Sequence, residues 1–192
     1  MNFLLHCWLG RANDGLIAGG FLGDFVKGPI PTSYPVELQR GIALHRYIDT
    51  ESNRLEAMRS TYFRFGKSLR RPAPILLDLV ADHIFAKYWN EFTELPLTEF
   101  TSHCYQVIGQ HEIPSSATRL YEHMCRTDHF ARYRNVDVIY DVCHRILVRL
   151  RMEQHTKQLE TILVSEHENF KEDFEVYFPI LEQKVEAWLL ET

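Results

Sequence analysis

Apolar residues recur at intervals of three and four along almost the whole chain, without the alternating runs bounded by hairpin turns that mark strands. That periodicity calls for helices and leaves no sheet to build a core on. Between Val36 and Thr50, Leu38, Ile42, His45 and Asp49 share one stripe, and Pro35 suits the first turn. Pro72 and Pro74 open a second helix whose face runs Ile75, Leu79, Asp82 and Ala86; Arg54 to Leu69 reads as a helix between the two. Further helices are predicted after Pro96, around Pro114 to near Cys125, from Asp137 and from Gln154, the last spanning Leu159 to Leu190 with a break or kink at Pro179. The expectation is an all-α fold of roughly eight to ten helices, one compact domain over residues 1–192.

A hydrophobic share of 45% and a charged share of 24% are ordinary for a globular chain and exclude disordered and coiled-coil classes. No uncharged apolar run approaches the roughly 18–20 residues a bilayer requires. The apolar start from Met1 to Gly10 lacks a basic leader and is interrupted by His6, so no signal peptide is expected. Cys7, Cys104, Cys125 and Cys143 show no CxxC spacing, and reduced thiols are the default. A soluble cytoplasmic protein with no membrane partner is expected.

Net charge of −5 hides an asymmetry. From Glu153 to the end ten acidic residues face three lysines, so this stretch carries −7 and the remainder +2. Within the remainder, Arg54, Arg59, Arg64, Lys67, Arg70 and Arg71 stand against Glu56 alone. Such a segment is either a solvated helix face or a docking surface for an acidic macromolecule. A pI near 6.0 disfavours nucleic acid as that partner and favours an acidic protein.

Seven of the nine glycines fall in the first 41 residues. Gly15, Gly19 and Gly23 recur every four residues, a spacing that lets a helix approach its neighbour closely. Gly20, Asp24 and Gly28 form a parallel stripe, which leaves Asp24 either exposed or set where bulk has been cleared around a carboxylate. His45 and Asp49, four apart on an otherwise apolar stripe, are expected to point inward. Asp82 continues the line of Ile75 and Leu79, with Asp78 one turn earlier, His83 beside it, and His6 in the apolar opening helix. A lone inward histidine is usually a core residue, but several inward carboxylates with imidazoles repel one another unless a cation joins them. Mixed His and carboxylate donors without thiolate suit Mn²⁺, Mg²⁺ or Fe²⁺ better than structural zinc. Such a cation polarises a phosphoester and activates water. Arg46, beside His45, either neutralises charge developing on phosphorus or makes a surface ion pair. There is no GxSxG elbow, and no cysteine has an evident histidine partner.

Five segments in order resemble a known family: Asn2 to His6, Gly23 to Gly28, Gly41 to Asp49, Asp78 with Asp82 to Phe85 and Trp89, and Arg132 to Arg134 with Asp137. They are similar to acyl carrier protein phosphodiesterases over most of residues 1–140, while 153–192 contribute acidic helices packed on that body. The resemblance implies an HD-domain-like all-α fold, a branch of the HD phosphohydrolases of lipid metabolism, metal-dependent and usually studied with Mn²⁺. The implied reaction hydrolyses the phosphodiester between 4′-phosphopantetheine and a carrier-protein serine, giving apo carrier protein. Carried over, Asp24, His45, Asp49, Asp82 and His83 become the metal set, with His6, Asp24 and Arg46 as catalytic groups. The basic segment from Arg54 to Arg71 becomes the docking face for acyl carrier protein, a small acidic partner. The family usually continues past the His45–Asp49 helix with an Asp where this chain has Asn53, and with a His where it has Leu55; Glu51 is a possible replacement, and Trp8 stands where some members carry His or Tyr. Two other readings stay open: a metal-dependent hydrolase of a nucleotide or other small phosphoester, and a catalytically decayed homologue that only binds an acidic protein.

Overall fold

The computed structural model describes residues 3–192. Among these the chain is all-α: α1 (Phe3–Leu9), α2 (Asp14–Leu22), α3 (Val36–Arg54), α4 (Glu56–Thr61), α5 (Ala73–Lys87), α6 (Leu97–Ile108), α7 (Ser115–Thr127), α8 (His129–Arg132), α9 (Val136–Arg149), α10 (Thr156–Ser165) and α11 (His167–Glu191). Short 3₁₀ turns lie at Tyr62–Phe65, Trp89–Glu91 and Glu153–His155. No helix among the described residues is long and apolar enough to cross a membrane.

The sequence pattern explains most boundaries. The Asn13 side chain caps α2 by accepting the Gly15 N–H at 2.7 Å, and Asn135 caps α9 in the same way through Asp137. Pro35 precedes α3, and Pro72 with Pro74 opens α5 as expected. Three expectations are corrected. Arg54 to Leu69 is not one helix: α3 runs on to Arg54, α4 follows, and the chain tightens to a 3₁₀ turn ended by Gly66 at φ +72°. The C-terminal break falls at Glu166 rather than Pro179, which lies inside a continuous α11. Pro179 is exposed, as is Glu175 four residues before it, so the carbonyl left without an N–H partner faces water. Finally, α2 ends at Leu22, so Gly28 does not continue a helical stripe with Gly20 and Asp24.

The core is an aromatic knot on α5. Phe85 packs against Trp8 of α1 (ring centroids 5.4 Å), Trp89 (5.0 Å) and Phe178 of α11 (5.3 Å), while Phe174 stacks on Phe178 at 4.8 Å. The acidic C-terminal helix α11 thereby packs across α3, α4 and α5. It turns its charges outward or onto basic partners: Arg64 forks onto Asp173 at 2.6 and 2.8 Å and reaches Glu166 at 3.1 Å.

Candidate functional site

Three helices meet backbone to backbone to build the site. Gly15 and Gly19 of α2 and Gly23 at its C-terminal cap face α3: a Cβ on Gly15 would enter Glu37, one on Gly19 the backbone of Gly41, and one on Gly23 the His45 imidazole. Gly20 faces α1, where a Cβ would sit 2.8 Å from the His6 carbonyl carbon. With no side chains to hold these helices apart, His6 of α1, Asp24 just past α2, and His45 and Asp49 of α3 converge.

The rings of His6 and His45 stack at 4.0 Å with 22° between their planes. His6 Nε2 lies 3.2 Å from Asp49 Oδ1; His45 Nε2 lies 3.4 Å from Asp49 Oδ2 and 3.6 Å from Asp24 Oδ1. One donor atom from each of His6, His45 and Asp49 falls within 4.8 Å of the others. Burial, reinforced by His45, pushes His6 down to about 3. Burial also pulls on His45, but Asp24 and Asp49 override it and raise the imidazole to about 9. Both carboxylates are held below their ordinary range despite burial, chiefly by His45. His45 Nδ1 donates to the Gly20 carbonyl at 3.0 Å, which aims Nε2 at the carboxylates. Histidines that bind metals are oriented by this kind of bond.

Asp24 and Asp49 lie on the lip of a cleft of about 700 Å³. Phe3, Phe25, Ile75, Leu79, Leu120, Val142 and Ile146 give it apolar walls, Asp78 joins its acidic end, and His129, Arg145 and Arg149 line it as well. A smaller depression on the other side of the two carboxylates contains Lys27 and Arg46. The cleft has the size of a small-molecule site and sets several charged groups between its apolar walls.

The family model for acyl carrier protein phosphodiesterase matches residues 1–181 of this chain. The chain belongs to this family. Among its relatives, the acyl carrier protein phosphodiesterase of Enterobacter sp. (strain 638) is 33% identical over 153 residues, 78% of this chain and 79% of that protein. Those of Salmonella dublin and Salmonella heidelberg (strain SL476) are each 33% identical over 146 residues, 74% of this chain and 75% of theirs. No solved structure matches the chain.

Within the acyl carrier protein phosphodiesterase family pattern, the motif residues do not all meet. Asp82 is fully buried and each of its oxygens accepts a backbone N–H of α1, from Leu4 and Leu5, both at 3.0 Å. It therefore anchors the helix that carries His6 rather than facing the cluster, and burial lifts its carboxyl to about 7 against those two donors. His83 donates from Nδ1 to the Tyr133 carbonyl at 2.7 Å and lies near His167, on a different side of α5. The carboxylate α5 presents to the cleft is Asp78, whose pKa burial raises. Sequence spacing placed Asp78 and Asp82 on one face but did not say which of them meets the opening.

The remaining expectations have definite places. Arg46 Nη2 donates to the carbonyls of Val26 and Gly28, both at 2.8 Å, and so ties down the loop that follows Asp24. Asn53 lines the cleft and donates to the Asp49 main-chain oxygen at 2.7 Å. Glu51 is turned away and held by Lys184 at 2.8 Å, so it does not stand in for the absent aspartate. Trp8 is buried in the aromatic knot with its N–H on Glu182. In the basic segment, Arg54 pairs with Glu51, Arg59 with Glu56 and Arg64 with α11, while Arg70 stacks on Phe63 at 3.8 Å. None of its six cations lines the cleft. His129, Arg145 and Arg149, which do line it, carried no signal in the sequence, because the cleft wall they form comes from helices about a hundred residues away from Asp49.

Proposed function

We propose that this chain is a metal-dependent phosphodiesterase that hydrolyses the 4′-phosphopantetheine phosphodiester of holo-acyl carrier protein, releasing apo carrier protein. The observation that carries the proposal is the convergence of His6, His45, Asp49 and Asp24, with both carboxylates lining a cleft that has apolar walls, in a chain whose relatives bear that activity in their names. The donor set suits a divalent ion: two imidazoles and a carboxylate within 4.8 Å, with His45 Nε2 already oriented by Gly20. His6, His45 and Asp49 would hold the ion, with the Asp24 carboxylate beside it, a histidine–aspartate site of the HD kind. Bound there, a cation such as Mn²⁺ (or Mg²⁺ or Fe²⁺) supplies Lewis-acid polarisation of the phosphoryl group and lowers the pKa of water.

The protein's own groups do the rest. The ionised Asp24, 46% exposed, accepts the proton of the attacking water. The bond from phosphorus to the carrier's serine oxygen breaks, that oxygen takes a proton from solvent while Asp24 returns its own to solvent, and carrier and 4′-phosphopantetheine together contain one added water. Arg46 acts as a positioning residue that fixes the Asp24 loop. The apolar cleft walls exclude water around the pantetheine arm. The thiol state of all four cysteines fits a reducing cytoplasm, where the carrier substrate would be met.

The test is intact-mass analysis of holo-acyl carrier protein incubated with the protein and Mn²⁺, with an EDTA control. Metal-dependent loss of the phosphopantetheine mass is expected. An unchanged mass across several metals, with the protein folded, overturns the reading; tight carrier binding without turnover would then identify a binding-only homologue.

A further inference from the structure

In the reaction just proposed, phosphorus is one ester oxygen away from the carrier's serine side chain. The carrier's surface must therefore come down over the mouth of the cleft that holds Asp24 and Asp49, and residues that line this cleft are the ones it meets. Among the described residues the cleft is lined by two permanently charged cations, Arg145 and Arg149. They stand four residues apart, hence one turn apart on one face of α9. Both are exposed, and among the described residues neither forms an ion pair. Asp141, a turn before Arg145, pairs with neither. From Ser115 to Arg151 there are seven arginines against four acidic residues, and among the described residues none of the seven is in an ion pair with a carboxylate. By contrast, three cations of the Arg54–Arg71 segment are neutralised within the molecule.

We propose that Arg145 and Arg149 are the carrier-recognition pair: they receive the acidic face of the acyl carrier protein at the cleft mouth, while the apolar walls take the pantetheine arm. This inference rests on the phosphodiesterase reading above. The polarity of the cleft, acidic at Asp24, Asp49 and Asp78 and basic at α9, then fixes which way the substrate enters. Exposed charges of this kind act mainly on association and are screened by salt.

The experiment compares wild-type protein with Arg145→Gln/Arg149→Gln, using steady-state hydrolysis of holo carrier protein and fluorescence anisotropy of dye-labelled apo carrier protein. At about 50 mM salt, KM and Kd should both rise at least about tenfold with kcat within about twofold, and the difference should shrink several-fold at about 0.5 M. Arg145→Glu/Arg149→Glu should weaken both further. Unchanged KM and Kd in a wild-type enzyme that does turn over would overturn the inference and leave the proposed function standing. A fall in kcat at constant KM would place the arginines on the reacting phosphate, and a rise in KM confined to Lys67→Ser/Arg71→Ser would place docking on the other segment; either result overturns it. A wild-type protein that neither binds nor cleaves the carrier would remove the proposed function, and this inference with it.

Discussion

The two polar residues at positions 82 and 83 show how much one step along a helix changes. Asp82 fastens α1 by taking two buried backbone N–H groups. Asp82→Ala leaves both without an acceptor and should lower stability by about 2–4 kcal/mol, read by urea denaturation. Asp82→Asn, which keeps one acceptor, should lose less. His83 is buried and held down to about 4, first by desolvation, against 6.5 when unfolded. The unfolded chain therefore binds the extra proton first as pH falls. Stability from this group is complete above about pH 6.5 and disappears progressively down to about pH 4, a span of about 3 kcal/mol. Denaturation midpoints at pH 7 and pH 5 should differ more in the wild type than in His83→Gln. At the cluster, Asp49→Asn removes the carboxylate that faces both imidazoles and should abolish carrier hydrolysis by at least about a hundredfold while circular dichroism stays helical. The pairing of His45 with Asp49 was legible from their spacing of four on an apolar stripe. The separate fates of Asp78, Asp82 and His83 were not, because helix rotation about its own axis is set by packing partners that the local pattern does not name.

Among the elements, the seam between α2 and α3 governs the site. The Gly41 backbone fills the space a Gly19 side chain would need, the Gly15–Leu16 backbone fills that of Gly41, and the His45 ring fills that of Gly23. Gly41→Ala gains helix propensity of about 1 kcal/mol but drives the helices apart, so a net loss of about 1–3 kcal/mol is expected. Gly23→Ala should spare the fold more and damage turnover more, since its methyl lands on the imidazole that Gly20 orients; the two variants should therefore separate when melting temperature and kcat are plotted together. The four-residue glycine spacing announced this close approach in the sequence. What it did not announce was the partner, because the periodicity of one helix does not name the helix it meets. The Arg54 to Leu69 helix was misjudged for a related reason: its periodic pattern continues through a turn that Gly66 makes possible with a positive φ.

For the molecule as a whole, part of the charge asymmetry is settled internally. The acidic C-terminal stretch forms helices that close over the body, and Arg64, the member of the basic segment that bridges to α11, binds two of their carboxylates. Arg64→Ala should cost about 1 kcal/mol at low salt and less at high salt, a shift small enough to require chemical denaturation curves. Phe85→Ala, at the centre of the knot joining α1, α5 and α11, should cost about 3–5 kcal/mol, a large part of the stability of a domain this size. All-α architecture was legible from periodicity alone. The far wall of the cleft was not, since it joins α3 to α7–α9 across long stretches of chain.

The same knot determines what light can report. Trp8 and Trp89 are sealed inside it at 6% and 2% exposure, and Trp188, near the end of α11, stacks on Tyr47 of α3. None of the three lines the cleft. Intrinsic emission should therefore follow the opening of the α1–α5–α11 junction and stay dark to substrate arrival, which makes the unmodified protein its own unfolding gauge and obliges any optical binding assay to borrow a fluorophore from the ligand.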